Sequence, residues 1–306
     1  CGPHVPVRNN PGAWLGTVMG ILAKTGRDKL TLVTSPSIAA FGLWAEQLIA
    51  ESTGKEGTGI IPIAGEPLLS PEHYGYDRLF VYLRVKDDDN SATDGAMDRI
   101  QASGHPIVSL DLCDPYDLGG EFWRWEFATA VAGTVLNIHP FDQPNVQQAK
   151  DLTDSVLQRY LDSGSLPEVE AGPSVDKLLS QARHGDYLSI MAYLRQTPEV
   201  NRSLEDLRQR VMRRHRIATT SGYGPRFLHS TGQLHKGGPN SGLFLQITED
   251  QPEDVLLPGR RYSFEILSDA QALGDLQALR DLGRRVTRFH LGSEDAATAI
   301  GELVRG

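Results

Sequence analysis

The chain has 306 residues, of which 40% are hydrophobic and 23% charged, and its formal net charge is −9. This composition excludes a disordered or fibrous protein and predicts a soluble globular one with two domains. The negative net charge argues against nucleic acid as a partner, because nucleic acids are generally bound by basic patches.

The first half of the chain alternates short apolar runs with segments of helical periodicity. The apolar runs predict strands at 29–34, 59–63, 79–85 and 106–112. The periodic segments predict helices at 38–49, 91–103, 122–136 and 145–162. Strands that alternate with helices predict an α/β fold around a mostly parallel sheet.

Residues 164–174 contain Gly, Pro and Ser and predict a linker to a second, smaller α/β unit. Its strands are predicted at 187–194, 217–223, 243–248, 262–266 and 287–291, and its helices at 198–215 and 270–282. The stretch 229–242 is predicted to be a loop. The predicted domains are therefore 1–165 and 172–306.

The chain has two cysteines, Cys1 and Cys113, which excludes a disulfide scaffold and makes the reducing cytoplasm the expected location. It contains no run of 18 apolar residues and no recognisable signal peptide, so no membrane span is predicted. Because the first residue is Cys rather than Met, we expect the chain to be an excised piece of a longer polypeptide.

Glu51 stands at the end of a predicted amphipathic helix and is followed by Ser52, Thr53, Gly54 and Lys55. A turn of small residues lets the backbone approach a ligand closely, and a carboxylate there can remove a proton alpha to a carbonyl. An ordinary helix end with a solvated Glu and Lys explains the same residues, so the chemistry is one of two interpretations.

Asp142 and Gln143 stand between two prolines in a loop that opens a predicted helix, and Lys150 falls on the second turn of that helix. The free N–H groups of a helix start, with a nearby Lys, can hold an anionic oxygen. The alternative is that Asp142 caps the helix and that Lys150 is a surface residue.

Two further segments carry histidines. His73 follows Gly65-Glu66-Pro67, and a lone loop histidine is typical of a surface or capping residue. The loop 229–242 has two histidines six residues apart, which fits no common zinc spacing. Gly-rich stretches can cradle phosphate, but this loop matches no phosphate-loop motif.

Taken together, these segments resemble the glucose-6-phosphate isomerase family. That family ends a helix with Glu-Ser-x-Gly-Lys, which residues 51–55 match, and it carries Phe-Asp-Gln-x-x-Val with a Lys seven residues after the Gln. In this chain the second motif consists of Phe141, Asp142, Gln143, Val146 and Lys150. A Gly-Glu-Pro followed by a His, at the separation seen for His73, is a third and weaker match. The resemblance covers about 12–160.

The resemblance implies a three-layer, flavodoxin-like sugar-isomerase (SIS) domain that interconverts glucose 6-phosphate and fructose 6-phosphate. It implies that Glu51 moves a proton between C2 and C1 of the sugar through an enediol. Lys150 is implied to assist ring opening or to stabilise charge on oxygen, and Gln143 to hydrogen-bond the sugar. No cofactor and no metal ion is implied.

Other residues are candidates on the same resemblance. Ser52, Thr53 and Lys55 are candidate substrate-binding residues beside the predicted base. His73 and His229 compete for acid–base catalysis at the ring oxygen, since the segment after His229 also resembles histidine-containing isomerase sequence.

Two features depart from the family. Its first SIS domain, with the Ser/Thr loop for the substrate phosphate, has no counterpart here, and a long segment follows Lys150. Within that segment, 224–239 resembles the C-terminal part of fused transaldolase/glucose-6-phosphate isomerases. We therefore interpret the chain as the C-terminal piece of such a bifunctional enzyme. Its expected partners are a phosphosugar, the missing N-terminal SIS and transaldolase domains and, in a homodimer, a second copy of the chain.

Two interpretations stay open beside the isomerase. In the first, the chain is a non-catalytic SIS module that binds a phosphosugar. In the second, it is a fragment that is inactive without its missing first SIS domain. The signature around Glu51 argues against the first interpretation. Transaldolase activity is not expected in the chain itself, because that reaction needs a Schiff-base Lys on a barrel strand and no barrel repeat is visible.

Overall fold

The computed structural model of the chain describes residues 2, 4–170, 172–250, 254–292 and 294–303. Cys1 and the side chain of Val146, both used above, lie outside the described residues. The described part contains two four-stranded sheets in which all neighbouring strands are parallel. The predicted α/β fold with parallel strands is confirmed.

The first sheet forms from the four apolar runs of the first half. In chain order its strands are β1 (Lys29–Thr34), β2 (Ile61–Ala64), β3 (Arg78–Val85) and β4 (Ile107–Leu112), and their order in the sheet is β2-β1-β3-β4. Successive side chains of a strand point to opposite faces. Leu79 and Val81 of β3 accordingly pack into one core, and Phe80 and Tyr82 into another.

Helices cover both faces of this sheet. One face is covered by α1 (Pro11–Lys24), α2 (Ala39–Thr53) and α4 (Leu118–Leu136), whose apolar side chains surround the fully buried Trp125. The other face is covered by α3 (Ser91–Ala102), which contributes Met97 and Ile100. The result is a helix–sheet–helix arrangement of three layers.

The second sheet repeats this plan. Its strands are β5 (Tyr187–Tyr193), β6 (Ala218–Tyr223), β7 (Gly242–Thr248) and β8 (Arg285–His290), in the order β6-β5-β7-β8. Numbered within each half, the strand order is the same in both sheets, and so is the strand count. The second unit, predicted to be the smaller, has as many strands as the first.

Helices again lie on both faces of the second sheet. One face packs against α6 (Val175–Leu179), α7 (Pro198–His215) and α10 (Ala296–Glu302). The other packs against α8 (Gly232–Gly237) and α9 (Phe264–Asp281). This second core also includes Ala50 of α2 and two side chains of β2, so the two halves share a hydrophobic contact.

The helix that carries Lys150, α5 (Val146–Ser163), packs along α9 of the second half. The two helices approach closely at Gly274, where a Cβ atom would lie 2.9 Å from the backbone nitrogen and the hydroxyl oxygen of Thr153. A larger residue at position 274 would force the helices apart. Helix α5 belongs to the first predicted domain but packs on a helix of the second, so it joins the two units. The domain boundary after residue 165 remains a prediction.

Two predictions in the second half are wrong. The predicted strand 262–266 contains the start of α9 instead: Ser263 caps this helix, its hydroxyl accepting a hydrogen bond from the Ile266 N–H at 3.2 Å. A short apolar run does not separate a strand from a helix start, and the cap is the stronger signal. The predicted loop 229–242 contains α8, a buried helical turn that its Gly content concealed. Helices α1, α6 and α10 were not predicted.

Candidate functional site

The turn after α2 is held by Thr53, which is fully buried. Its hydroxyl donates to the Ile49 carbonyl at 2.8 Å and accepts from the Ile60 N–H at 3.0 Å. These two bonds tie the end of α2 to the segment that enters β2. Thr53 therefore fixes the turn, while its neighbour Ser52 stays partly exposed and accessible to a ligand.

Glu51 lies on the last turn of α2 and is partly buried. Its Oε2 atom is 3.4 Å from the Nε2 atom of Gln143 and 3.5 Å from that of Gln47, so both amides donate long hydrogen bonds. Burial raises the pKa of Glu51, and the Gln47 hydrogen bond opposes this in part. A carboxyl with a raised pKa is suited to take up and return a proton near neutral pH.

Lys55 is buried and does not point to an open site. Its ammonium donates to the His139 carbonyl and to Asp142 Oδ1, each at 2.8 Å, and also to the Asp142 carbonyl. The hydrogen bond from Lys55 is the main cause that lowers the pKa of Asp142. Asp142 thus pairs with Lys55, and this clamp places the next residue, Gln143, beside Glu51.

Helix α8 brings the second half of the chain to this turn. The Gln233 amide donates to the Gly54 carbonyl at 2.8 Å and to Asn145 Oδ1 at 2.9 Å, and its oxygen accepts from the Asn145 N–H at 2.9 Å. The Gly57 N–H donates to the Gly237 carbonyl at 2.9 Å. One side chain, Gln233, therefore connects both signature segments of the first half.

A cavity of about 270 Å³ opens between α5, α8 and α9. Lys150 and His229, two of the predicted site residues, both line it, together with Lys236 of α8. Leu157, Leu228 and Leu267 add apolar surface, and Asp154, Gln271 and Tyr262 add polar groups. Small-molecule sites usually combine apolar walls with a few polar groups in this way.

The third predicted segment lies in a different environment. The Glu66 carboxylate forms a fully buried ion pair with Arg78 at 2.6 Å and accepts from the Thr219 N–H at 2.7 Å. His73 lies 3.8 Å from Glu72 in a short 3-10 helix, and none of its described contacts involves Glu51 or Lys150. Glu66 therefore joins the two halves of the chain. His73 lies neither at the turn of Glu51 nor among the residues that line the cavity.

Gln47, Gln233 and Lys236 were not predicted as residues of this site. Gln47 precedes Glu51 by one helical turn, so the spacing of four residues was an available signal. Gln233 and Lys236 lie in α8, and no local pattern indicated that this turn of helix contacts both signatures.

Within the described ranges, no cluster of three or more His, Cys, Asp or Glu side chains could hold a metal ion. None of the helices described there combines the length and apolar character that a membrane crossing requires.

Replacing Gly54 with Ala should destabilise the protein by about 1–3 kcal/mol, the range for overpacking in a dense core. A Cβ atom at position 54 would lie 2.4 Å from the Cα atom of Leu234, so α8 would have to move. Gly42→Ala, within α2, is the matched control, because its Cβ atom would lie 3.8 Å from the Cβ atom of Ala64. Urea unfolding of both variants measures the difference, and equal midpoints would contradict the close contact.

The chain is similar in sequence to curated glucose-6-phosphate isomerases. It is 32% identical over 151 residues to the enzyme of Streptococcus pyogenes serotype M18 (strain MGAS8232), covering 38% of this chain and 34% of that protein. It is 31% identical over 151 residues to the enzyme of Streptococcus agalactiae serotype III (strain NEM316), with the same coverage. The match spans about a third of the length of these relatives. The predicted resemblance is confirmed over that part of the chain, and the transaldolase fusion is not shown.

No model of a protein family matches the chain. Among solved structures, a hypothetical protein from Thermus thermophilus is 15% identical with a TM-score of 0.36, covering 98% of this chain and 83% of that one. The C-terminal domain of glucosamine-fructose-6-phosphate aminotransferase from Francisella tularensis is 10% identical with a TM-score of 0.28, covering 97% and 90%. No conclusion about function rests on these two similarities.

Proposed function

We propose that the chain carries the proton-transfer site of an aldose–ketose isomerase that interconverts glucose 6-phosphate and fructose 6-phosphate. The observation that carries this proposal is the placement of Glu51, a partly buried carboxylate with a raised pKa held beside Gln47 and Gln143. Two signature segments 92 residues apart in the chain meet at this carboxylate. The sequence similarity to glucose-6-phosphate isomerases supports the assignment of the substrate.

In the proposed reaction, Glu51 removes the C2 proton of the open-chain aldose. The electron pair of the C–H bond forms the C1–C2 double bond, and the C1 carbonyl oxygen takes up a proton from solvent to become a hydroxyl of the enediol. The C2 hydroxyl then releases its proton to solvent and becomes the ketone as Glu51 returns its own proton to C1. The oxidation of C2 is balanced by the reduction of C1, so the reaction needs no external oxidant or reductant. Gln143 would hold both the carboxylate and a sugar hydroxyl.

Lys150 and His229, which line the cavity between α5, α8 and α9, supply the charged and acid–base groups in this proposal, and Glu51 is not among the residues that line this cavity. An ammonium group stabilises negative charge that develops on a sugar oxygen. His229 would exchange a proton with the ring oxygen as the sugar opens. We favour His229 over His73 because it shares a cavity with Lys150, whereas the described contacts of His73 lie elsewhere.

We further infer that the chain works in the cytoplasm as part of a longer, bifunctional polypeptide with transaldolase and SIS domains. The main alternative is a module that binds a phosphosugar without converting it. Both possibilities predict binding of fructose 6-phosphate, but only the enzyme forms glucose 6-phosphate. A coupled assay of the 306-residue chain, and of any longer gene product that contains it, tests the proposal. Binding without turnover in both proteins would contradict the isomerase.

His229→Asn should lower the isomerase rate about 100-fold, whereas His73→Asn should change it by less than about twofold, given the usual contribution of a general acid or base. The reason is that His229 borders the cavity with Lys150 and His73 does not. Each variant is compared with wild-type protein in the coupled assay, and its fold is checked by circular dichroism. The reverse order of the two effects would assign ring opening to His73.

A further inference from the structure

The wall of the cavity formed by α8 contains an ion pair that no sequence signature explains. Lys236 Nζ lies 2.5 Å from Asp275 Oδ1, and the two side chains are 2% and 0% exposed. Desolvating two charges costs several kcal/mol per ion, and their attraction often does no more than offset that cost. Apolar residues of similar size would pack as well, so stability alone does not account for the pair.

Lys236 borders the cavity that Lys150 and His229 also line. A lysine ammonium has three N–H donors. Its described hydrogen bond goes to the Gly232 carbonyl at 3.3 Å, and its contact with Asp275 is an ion pair. At least one donor is thus available to an acceptor in the cavity.

Asp275 has no described role other than to balance Lys236. Neither of its carboxylate oxygens has an aligned hydrogen-bond partner among the described residues, although it is completely buried. Tyr193, whose hydroxyl is also unpaired there, lies near enough for the Asp275 charge to add to the effect of burial in raising its pKa. Moving the Lys236 ammonium away would leave the buried Asp275 carboxylate without a compensating charge, which is costly. Asp275 therefore keeps the ammonium at a fixed position in the cavity wall.

The remaining groups of the cavity indicate the kind of ligand. Asp154, Gln271 and Tyr262 supply hydrogen-bond donors and acceptors to a lining that also contains three leucine side chains. A chain of hydroxyl groups on a carbon backbone matches such alternating polar and apolar contacts. Because Asp275 already balances the charge of Lys236, this ammonium suits a neutral hydroxyl oxygen better than a phosphate dianion.

We propose that Lys236 is a substrate-binding residue, which donates to a hydroxyl oxygen of the polyol chain of the bound sugar phosphate, and that Asp275 positions it. This inference rests on the proposed function and extends it, because it makes the second half of the chain part of the sugar site. A hydrogen bond from a charged donor to a bound hydroxyl corresponds to about a 10- to 100-fold difference in affinity.

The test measures binding without turnover. Sorbitol 6-phosphate has the polyol chain and the phosphate but no carbonyl, so it cannot be isomerised. Its dissociation constant is measured by calorimetry for the 306-residue chain and for any longer gene product that contains it, with inorganic phosphate as the second probe. The double variant Lys236→Met/Asp275→Leu removes both charges together, which avoids a lone buried carboxylate. Lys177→Met, at an exposed position, is the matched control.

The double variant should bind sorbitol 6-phosphate about 10- to 100-fold more weakly than wild-type protein, the difference expected for one charge-assisted hydrogen bond. Its affinity for inorganic phosphate and its thermal midpoint should stay close to those of the control. Equal affinity for sorbitol 6-phosphate in both variants, or no binding to the wild-type chain, would overturn the assignment of Lys236. Equal weakening for both probes would assign Lys236 to the phosphate group and overturn it as well.

This result can be separated from failure of the proposed function. If the double variant loses affinity as expected while Glu51→Gln keeps its turnover, the sugar site stands and the isomerase mechanism falls. If Glu51→Gln loses turnover while the double variant binds normally, the mechanism stands and Lys236 is not a ligand of the sugar.

Discussion

Replacing Glu51 with Gln should lower the isomerase rate about 10⁴-fold, the upper end of what a general base contributes. The upper end applies because this carboxylate takes the proton from one carbon and returns it to the next, so both steps depend on it. Glutamine keeps the size of the side chain and its contacts with Gln47 and Gln143 but cannot accept the proton. The measurement is kcat in the coupled assay. Glu126→Gln, an exposed position on α4, is the matched control.

The pH dependence of the wild-type enzyme gives a second measure of the same group. Glu51 must be ionised to accept a proton, so kcat should fall as the pH drops through the pKa of Glu51. Burial raises this pKa above the usual value of 4.5, so the fall should begin at a higher pH than for an exposed Glu. A flat kcat profile down to about pH 4.5, or near-normal turnover in Glu51→Gln, would exclude Glu51 as the base.

Replacing Arg78 with Met should destabilise the protein by about 3–5 kcal/mol, the cost of removing one partner of a buried ion pair. Arg78 and Glu66 have fully buried side chains, and two guanidinium nitrogens donate to the carboxylate at 2.6 and 3.1 Å. Methionine fills a similar volume but leaves the Glu66 charge without its partner. Arg208 lies nearby, donating to the Gly65 carbonyl at 2.7 Å, and it offsets part of the loss.

Urea unfolding measures this effect. Arg99→Met on the exposed side of α3 is the matched control and should change the free energy of unfolding by less than about 0.5 kcal/mol. A loss in Arg78→Met no greater than that of the control would mean that the Glu66 cluster does not join the two halves. Retained activity per folded molecule would support the structural role of the Gly-Glu-Pro segment.

The sequence predicted the fold best where the pattern of apolar residues along an element matches its burial in the structure. The run at 29–34 is buried on both faces, as a central strand of a parallel sheet is, and β1 spans these same residues. The run at 262–266 misled because a helix cap and a short strand have similar composition. Helix α8 was hidden because its glycines indicate a loop, while its formation depends on packing against α2 and α9.

The residues of the candidate site fall into the same two groups: those that local sequence motifs indicate and those that only the folded chain brings together. Glu51 and Gln143 both belong to segments with recognisable spacing, and the folded chain brings them within 3.4 Å of each other. Lys55 was a candidate for substrate, but its three bonds to the 139–142 segment give it a positioning role that only the folded chain reveals. The contacts of Gln233 and Lys236 join residues far apart in sequence, so no local pattern could have predicted them.

The most direct test of the central claim is isotope transfer from solvent. Fructose 6-phosphate is incubated in heavy water with the chain, or with the longer protein that contains it, and the glucose 6-phosphate formed is analysed by NMR for deuterium at C2. A proton held on Glu51 exchanges partly with solvent, so we expect deuterium at C2 with wild-type protein and product formation about 10⁴-fold slower with Glu51→Gln. Product that carries deuterium at C2 with Glu51→Gln, at the wild-type rate, would show that another group moves the proton.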